Sequence, residues 1–155
     1  MSDGNGFDRT AEGCPTLLVS ACLLGVRCTH DAGHELRPAV VALREHHRLV
    51  PVCPETAGGL PTPRPAAELG ADGVVRTADG DDVTDAYRRG ADHAVRVAVA
   101  TGARRAVLKA RSPSCGCHEI YDGTFTRTRV SGEGVTAAAL RAAGLEVVSE
   151  DDLQL

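Results

Sequence analysis

Three short apolar runs constrain this chain more than any other feature: Thr16-Leu17-Leu18-Val19-Ser20-Ala21, Leu49-Val50-Pro51-Val52 and Arg105-Ala106-Val107-Leu108-Lys109. Each is too short for a buried helix and aliphatic at successive positions, so each reads as a strand covered on both faces. Between the first two, Pro38 opens a short amphipathic stretch through Val40, Val41, Leu43 and Arg44, which completes a βαβ unit. Val83 to Thr101 places Ala86, Ala91, Ala94, Val95, Val97, Ala98 and Ala100 at helical spacing, and Gly102 stops it. Val135 to Ala143 is a further helix, capped by Gly144, and Leu145-Glu146-Val147-Val148 is a last strand. Strands alternating with helices predict an α/β domain built on a mostly parallel sheet with right-handed crossovers.

A cysteine follows each of the three runs: Cys22, Cys53 and Cys115. If the strands are parallel neighbours, the thiols meet at the carboxyl edge of the sheet, where strand-to-helix loops open into a ligand crevice. Three thiolates at one point suggest a metal centre with one open position. Zinc in a structural site would take a fourth protein ligand, from Cys117 or His118, whereas an iron–sulfur cluster would leave one iron exposed. Cys28 and Cys117, spaced six and two residues from their neighbours, match no C-x-x-C pattern and read as packing residues, and Cys14 falls outside the periodic region.

A length of 155 residues fits one domain, expected over 15–155 behind a polar Gly/Asp-rich tail at 1–14. Aromatic residues are only 3% and Trp is absent, so the core must be aliphatic. The net charge of −4 argues against a nucleic-acid polymer as partner and for a small molecule. There is no signal-peptide pattern and no run near the ~18 apolar residues of a membrane span. The expected location is therefore the cytoplasm, where thiols stay reduced and six cysteines indicate metal binding or catalysis rather than disulfides.

The loops carry the candidate chemistry. Leu23 to Gly33 has the composition of a binding loop and contains Asp31. Cys53 to Pro65 holds four prolines, too many for a helix or central strand, and reads as an ordered functional loop. Gly73-Val74-Val75-Arg76 is a weak strand, and Tyr121 to Val130 alternates like a hairpin or edge strand. Glu55, two residues after Cys53, puts a carboxylate beside the metal. Ser112 and Ser114 bring hydroxyls to the turn around Cys115, and Arg64, Lys109 and Arg111 can gather a phosphate.

Taken together, Val19-Ser20-Ala21-Cys22-Leu23-Leu24-Gly25, Pro51-Val52-Cys53-Pro54-Glu55, Gly58-Gly59-Leu60-Pro61-Thr62-Pro63-Arg64, Arg111-Ser112-Pro113-Ser114-Cys115-Gly116 and Ile120-Tyr121-Asp122-Gly123-Thr124-Phe125 resemble the thiouracil desulfidase family. The likeness runs from about Thr16 onward, with all blocks in family order. It implies a Rossmann-like α/β domain, helices on both faces of its sheet, and a 4Fe-4S cluster held by Cys22, Cys53 and Cys115, the fourth iron binding substrate sulfur. It further implies removal of sulfur from 2-thiouracil, 4-thiouracil or 4-thiouridine monophosphate, giving uracil or UMP and hydrogen sulfide. Catalytic roles carry over to Glu55 and Ser112, and the expected substrate-binding set is Asp31, Arg64, Ser114 and Lys109. The chain departs from the family pattern in Cys28-Thr29-His30-Asp31-Ala32-Gly33, where members tend to place an aromatic beside an Asp-Gly turn, and at Cys117 and His118. The expected working form is a monomer or weak homodimer acting on a small thiopyrimidine, without membrane contact. The competing reading is a zinc-stabilised or redox-sensing nucleotide-binding domain without catalysis.

Overall fold

A computed structural model describes residues 14–153. Positions 1–13, nearly all of the tail expected at 1–14, and 154–155 lie outside the described residues. In chain order the elements are β1 (Thr16–Ser20), α1 (Pro38–Val41), β2 (Arg48–Val52), α2 (Pro54–Ala57), β3 (Ala67–Leu69), β4 (Val75–Thr77), α3 (Thr84–Thr101), β5 (Arg105–Leu108), β6 (Glu119–Tyr121), β7 (Arg129–Ser131), α4 (Val135–Ala142) and β8 (Glu146–Ser149). Short 3-10 turns follow β1, α1 and β8.

The four strands read from the apolar runs form one parallel sheet in the order β2-β1-β5-β8, with Leu18 opposite both Val50 and Ala106 and Val107 opposite Val148. Side chains alternate across it. Leu18, Val52, Ala106, Leu108 and Val147 face a layer that contains Ala94 and Ala98 of α3 and Ala137 and Leu140 of α4. Leu17, Val19 and Val107 face the opposite way, onto Leu23 and Val40. Helices therefore cover both faces of a Rossmann-like α/β domain. Leu18, Leu108 and Leu140 are fully buried, each worth about 2 kcal/mol of transfer free energy.

Two departures from the sequence reading have local causes. The proline-rich segment does contain a helix, the single turn α2, because Pro54 occupies its first position, where no intrahelical N–H is needed. This turn nests against α3 at two glycines: a Cβ on Gly90 would stand 1.9 Å from the Pro54 carbonyl oxygen, and one on Gly58 would stand 2.0 Å from that of Ala86. The weak strand is real as β4, but its antiparallel partner β3 was not anticipated, being three residues long with a charged centre. The Tyr121–Val130 stretch is a hairpin of β6 and β7. Among the described residues, no helix is long and apolar enough to cross a membrane.

Candidate active site

Three loops at the carboxyl edge of the sheet deliver the three thiols. Cys22 sits in the 3-10 turn that leaves β1, which Gly25 ends at φ 93. Cys53 closes β2 and caps α2. Cys115 lies in the loop after β5, whose turn is built by the Ser112 hydroxyl oxygen accepting from the amides of Ser114 and Cys115, both at 3.0 Å. The Lys109 amide donates to Ser20 Oγ at 2.9 Å, and a Cβ on Gly134 would stand 2.4 Å from the Ser114 carbonyl, so the loop is fastened from both sides. The three cysteines open onto one cavity of about 730 Å³, shared with Cys28, Asp31, Glu55, Arg64, Tyr87, Lys109, Ser112, Tyr121, Phe125 and Arg127.

Burial pushes the thiols of Cys22 and Cys115 up to about 12, because a thiolate there loses its hydration. Cys53 goes the other way, down to about 6, chiefly through its side-chain interaction with Cys28 and then through that with Thr56. Cys28 is correspondingly raised. A metal would displace the protons that burial otherwise retains. The donor set is three thiols from three strand ends with no nitrogen, and such a soft, all-sulfur set suits an iron–sulfur cluster.

Glu55 reaches the cavity wall, where its Oε1 accepts from Arg64 Nε at 3.0 Å. It also lies against the buried Tyr87 phenol, whose ionisation is pushed up by burial and by this carboxylate. Arg64 is not a free cation. Its side chain is 5% exposed and donates to the Cys28 carbonyl at 2.7 Å, the Pro61 carbonyl at 3.1 Å and the Thr62 hydroxyl at 3.0 Å. The expected phosphate cluster is likewise committed elsewhere: Lys109 lies 3.4 Å from buried Glu150, and Arg111 pairs with Asp151 at 3.1 Å. Asp31 stands at the exposed rim, its Oδ1 accepting from the Thr29 hydroxyl and the Gly33 amide, which hold its carboxyl below the usual range.

Ser114 is absent from the cavity wall. Its hydroxyl is fully buried and paired with that of Thr136 at 2.7 Å, so it locks the loop onto α4. Cys28, Tyr87, Phe125 and Arg127 are on the wall without having been singled out for it. Phe125 and Arg127 adopt left-handed backbone, φ 58 and 61, in the β6–β7 loop, which Glu68 of β3 holds through the amides of Gly123 and Phe125. The alternating stretch 121–130 was the available signal, since a hairpin needs a tip and this one reaches the cavity.

A profile of the family described as 2-thiouracil desulfurase matches residues 17–152. The chain is 39% identical over 146 residues to the uncharacterized protein YbbK of Bacillus subtilis (strain 168), covering 88% of this chain and 97% of the relative. It also superposes with a TM-score of 0.84 on the solved structure of TudS, a [4Fe-4S]-dependent thiouracil desulfidase. The two are 45% identical, over 90% of this chain and 93% of that one.

Proposed function

The chain belongs to the 2-thiouracil desulfurase family, and from that premise we propose that it is a [4Fe-4S]-dependent desulfidase that replaces the sulfur of a thiolated pyrimidine with oxygen. The observation that carries the reading is the arrival of Cys22, Cys53 and Cys115 from three separate strand ends on one cavity wall with Glu55 and Ser112. Thiocarbonyl plus water gives carbonyl plus hydrogen sulfide, with no net electron transfer. A cluster held by the three thiolates supplies one iron without a protein ligand, a soft Lewis acid with affinity for sulfur.

The remaining work falls to the chain's own side chains. Glu55 takes a proton from the attacking water and returns one to the ring, and Arg64 keeps its carboxylate in one orientation for both transfers. Because the Ser112 oxygen already accepts two amides, its hydroxyl proton is the part left to orient water or the heterocycle. Tyr121 and Phe125 offer flat faces to a pyrimidine. Arg127 lines the same cavity and makes no ion pair among the described residues. That free cation favours a substrate bearing a phosphate, 4-thiouridine monophosphate, over free thiouracil. Asp31 at the rim accepts from a sugar hydroxyl. The six free cysteines suit work in the reducing cytoplasm.

The test is sulfide release, measured anaerobically with cluster-loaded protein, from 2-thiouracil, 4-thiouracil and 4-thiouridine monophosphate. Sulfide from at least one is expected, with the nucleotide fastest. An intact cluster that releases sulfide from none of them overturns the activity, and a preference for free base overturns the role of Arg127.

A further inference from the structure

We propose that Cys117, His118 and Asp152 form a second metal site, outside the cavity, that takes one zinc(II) ion or a similar borderline-soft divalent cation. Their ligand atoms lie within 4.8 Å of one another. The Cys117 thiol is buried, and His118 Nε2 stands 2.7 Å from Asp152 Oδ2. The donors come from two backbone segments that are separately anchored. Gly116 is packed so closely that a Cβ there would stand 2.8 Å from the Ser112 carbonyl, and the His118 carbonyl accepts the Gly132 amide at 3.1 Å. Asp152 Oδ2 also accepts the Ser149 amide at 2.8 Å, the kind of outer hydrogen bond that orients a ligating carboxylate.

Donor chemistry selects the ion. Magnesium and calcium want oxygen ligands throughout, whereas zinc accepts sulfur, nitrogen and oxygen together in four-coordinate sites. One thiolate and one carboxylate neutralise the dication, and binding releases the Cys117 proton to solvent. Ligand atoms around tetrahedral zinc stand roughly 3.3–3.8 Å apart, so His118 must open its 2.7 Å bond to Asp152 slightly to admit the ion. The His118 side chain is 58% exposed. All three donors line a pocket of about 100 Å³, shared with Arg111, Glu119 and Asp151, which has room for a water of about 30 Å³ as a fourth ligand. Occupancy would tie the turn following Cys115 to the turn that follows β8.

Zinc competition against a colorimetric chelator, run anaerobically on cluster-loaded protein, tests this without using activity as the readout. One zinc beyond the iron content is expected, and cobalt(II) in its place should show a thiolate-to-cobalt charge-transfer band. His118→Ala and Cys117→Ser should each weaken binding at least about tenfold, by analogy with losses on removing even outer-shell partners, with iron content unchanged. No zinc retained by the parent protein overturns the site, as does equal retention by His118→Ala. Should Cys117→Ser fail to fold, His118→Ala decides, because its side chain is exposed.

Discussion

Two constellations of metal-ligating side chains draw on cysteines two residues apart, Cys115 and Cys117, and differ in what they can hold. Cys22, Cys53 and Cys115 are all sulfur, come from three strand ends and line a large cavity. Cys117, His118 and Asp152 mix sulfur, nitrogen and oxygen, border a small pocket and close to within 4.8 Å. Both take a cysteine from the same loop, and what separates them is the rest of the donor set, which is decided by the backbone elements that deliver each side chain.

The sharpest way to break this contrast is to exchange neighbouring sulfurs. Cys115→Ser should abolish the visible absorption, the bound iron and sulfide release, while Cys117→Ser leaves all three in place. Equal losses in the two variants would erase the distinction. A smaller effect is expected from Glu55→Gln, which keeps the side chain's size but removes its proton chemistry. Its kcat for sulfide release should fall by roughly 10²–10⁴, the usual contribution of a positioned acid–base group, with the cluster spectrum unchanged. A spectrum that changes with it would make Glu55 part of the metal's surroundings rather than of the reaction. The mildest change is Gly90→Ala, which forces a methyl against the Pro54 carbonyl and shifts the turn that follows Cys53. It should cost about 1–3 kcal/mol, read as a lower Tm and faster cluster loss, while zinc retention at the other constellation is unaffected.

The parallel sheet was legible because its central strands β1 and β5 are buried on both faces and so are written as continuous aliphatic runs, and the half-buried edge strands β2 and β8 keep enough Leu and Val to read alike. The three thiols were legible because each follows one of those runs. What the sequence could not reveal is direction and pairing. Two serines flank Pro113, and nothing in their order says that Ser112 faces the cavity while Ser114 turns inward to Thr136. Arg64, Lys109 and Arg111 read as a free basic cluster because their partners, Glu55, Glu150 and Asp151, are 9, 41 and 40 residues away and are assembled only by the fold. Arg127 was missed for the converse reason, since an arginine in a hairpin loop carries no mark of being without a partner.

The order β2-β1-β5 runs the strand that ends before Cys22 between the two that lead to Cys53 and Cys115. Adjacent strands keep about 4.8 Å, a pitch dictated by peptide hydrogen bonding and indifferent to side chains. The ladder thus sets where the three rims begin, and the loops, which carry Cys115 seven residues beyond β5, set what inorganic body they can enclose. Point substitution can delete a contact with that body but cannot recalibrate its size; only rebuilding the connecting loops would do so.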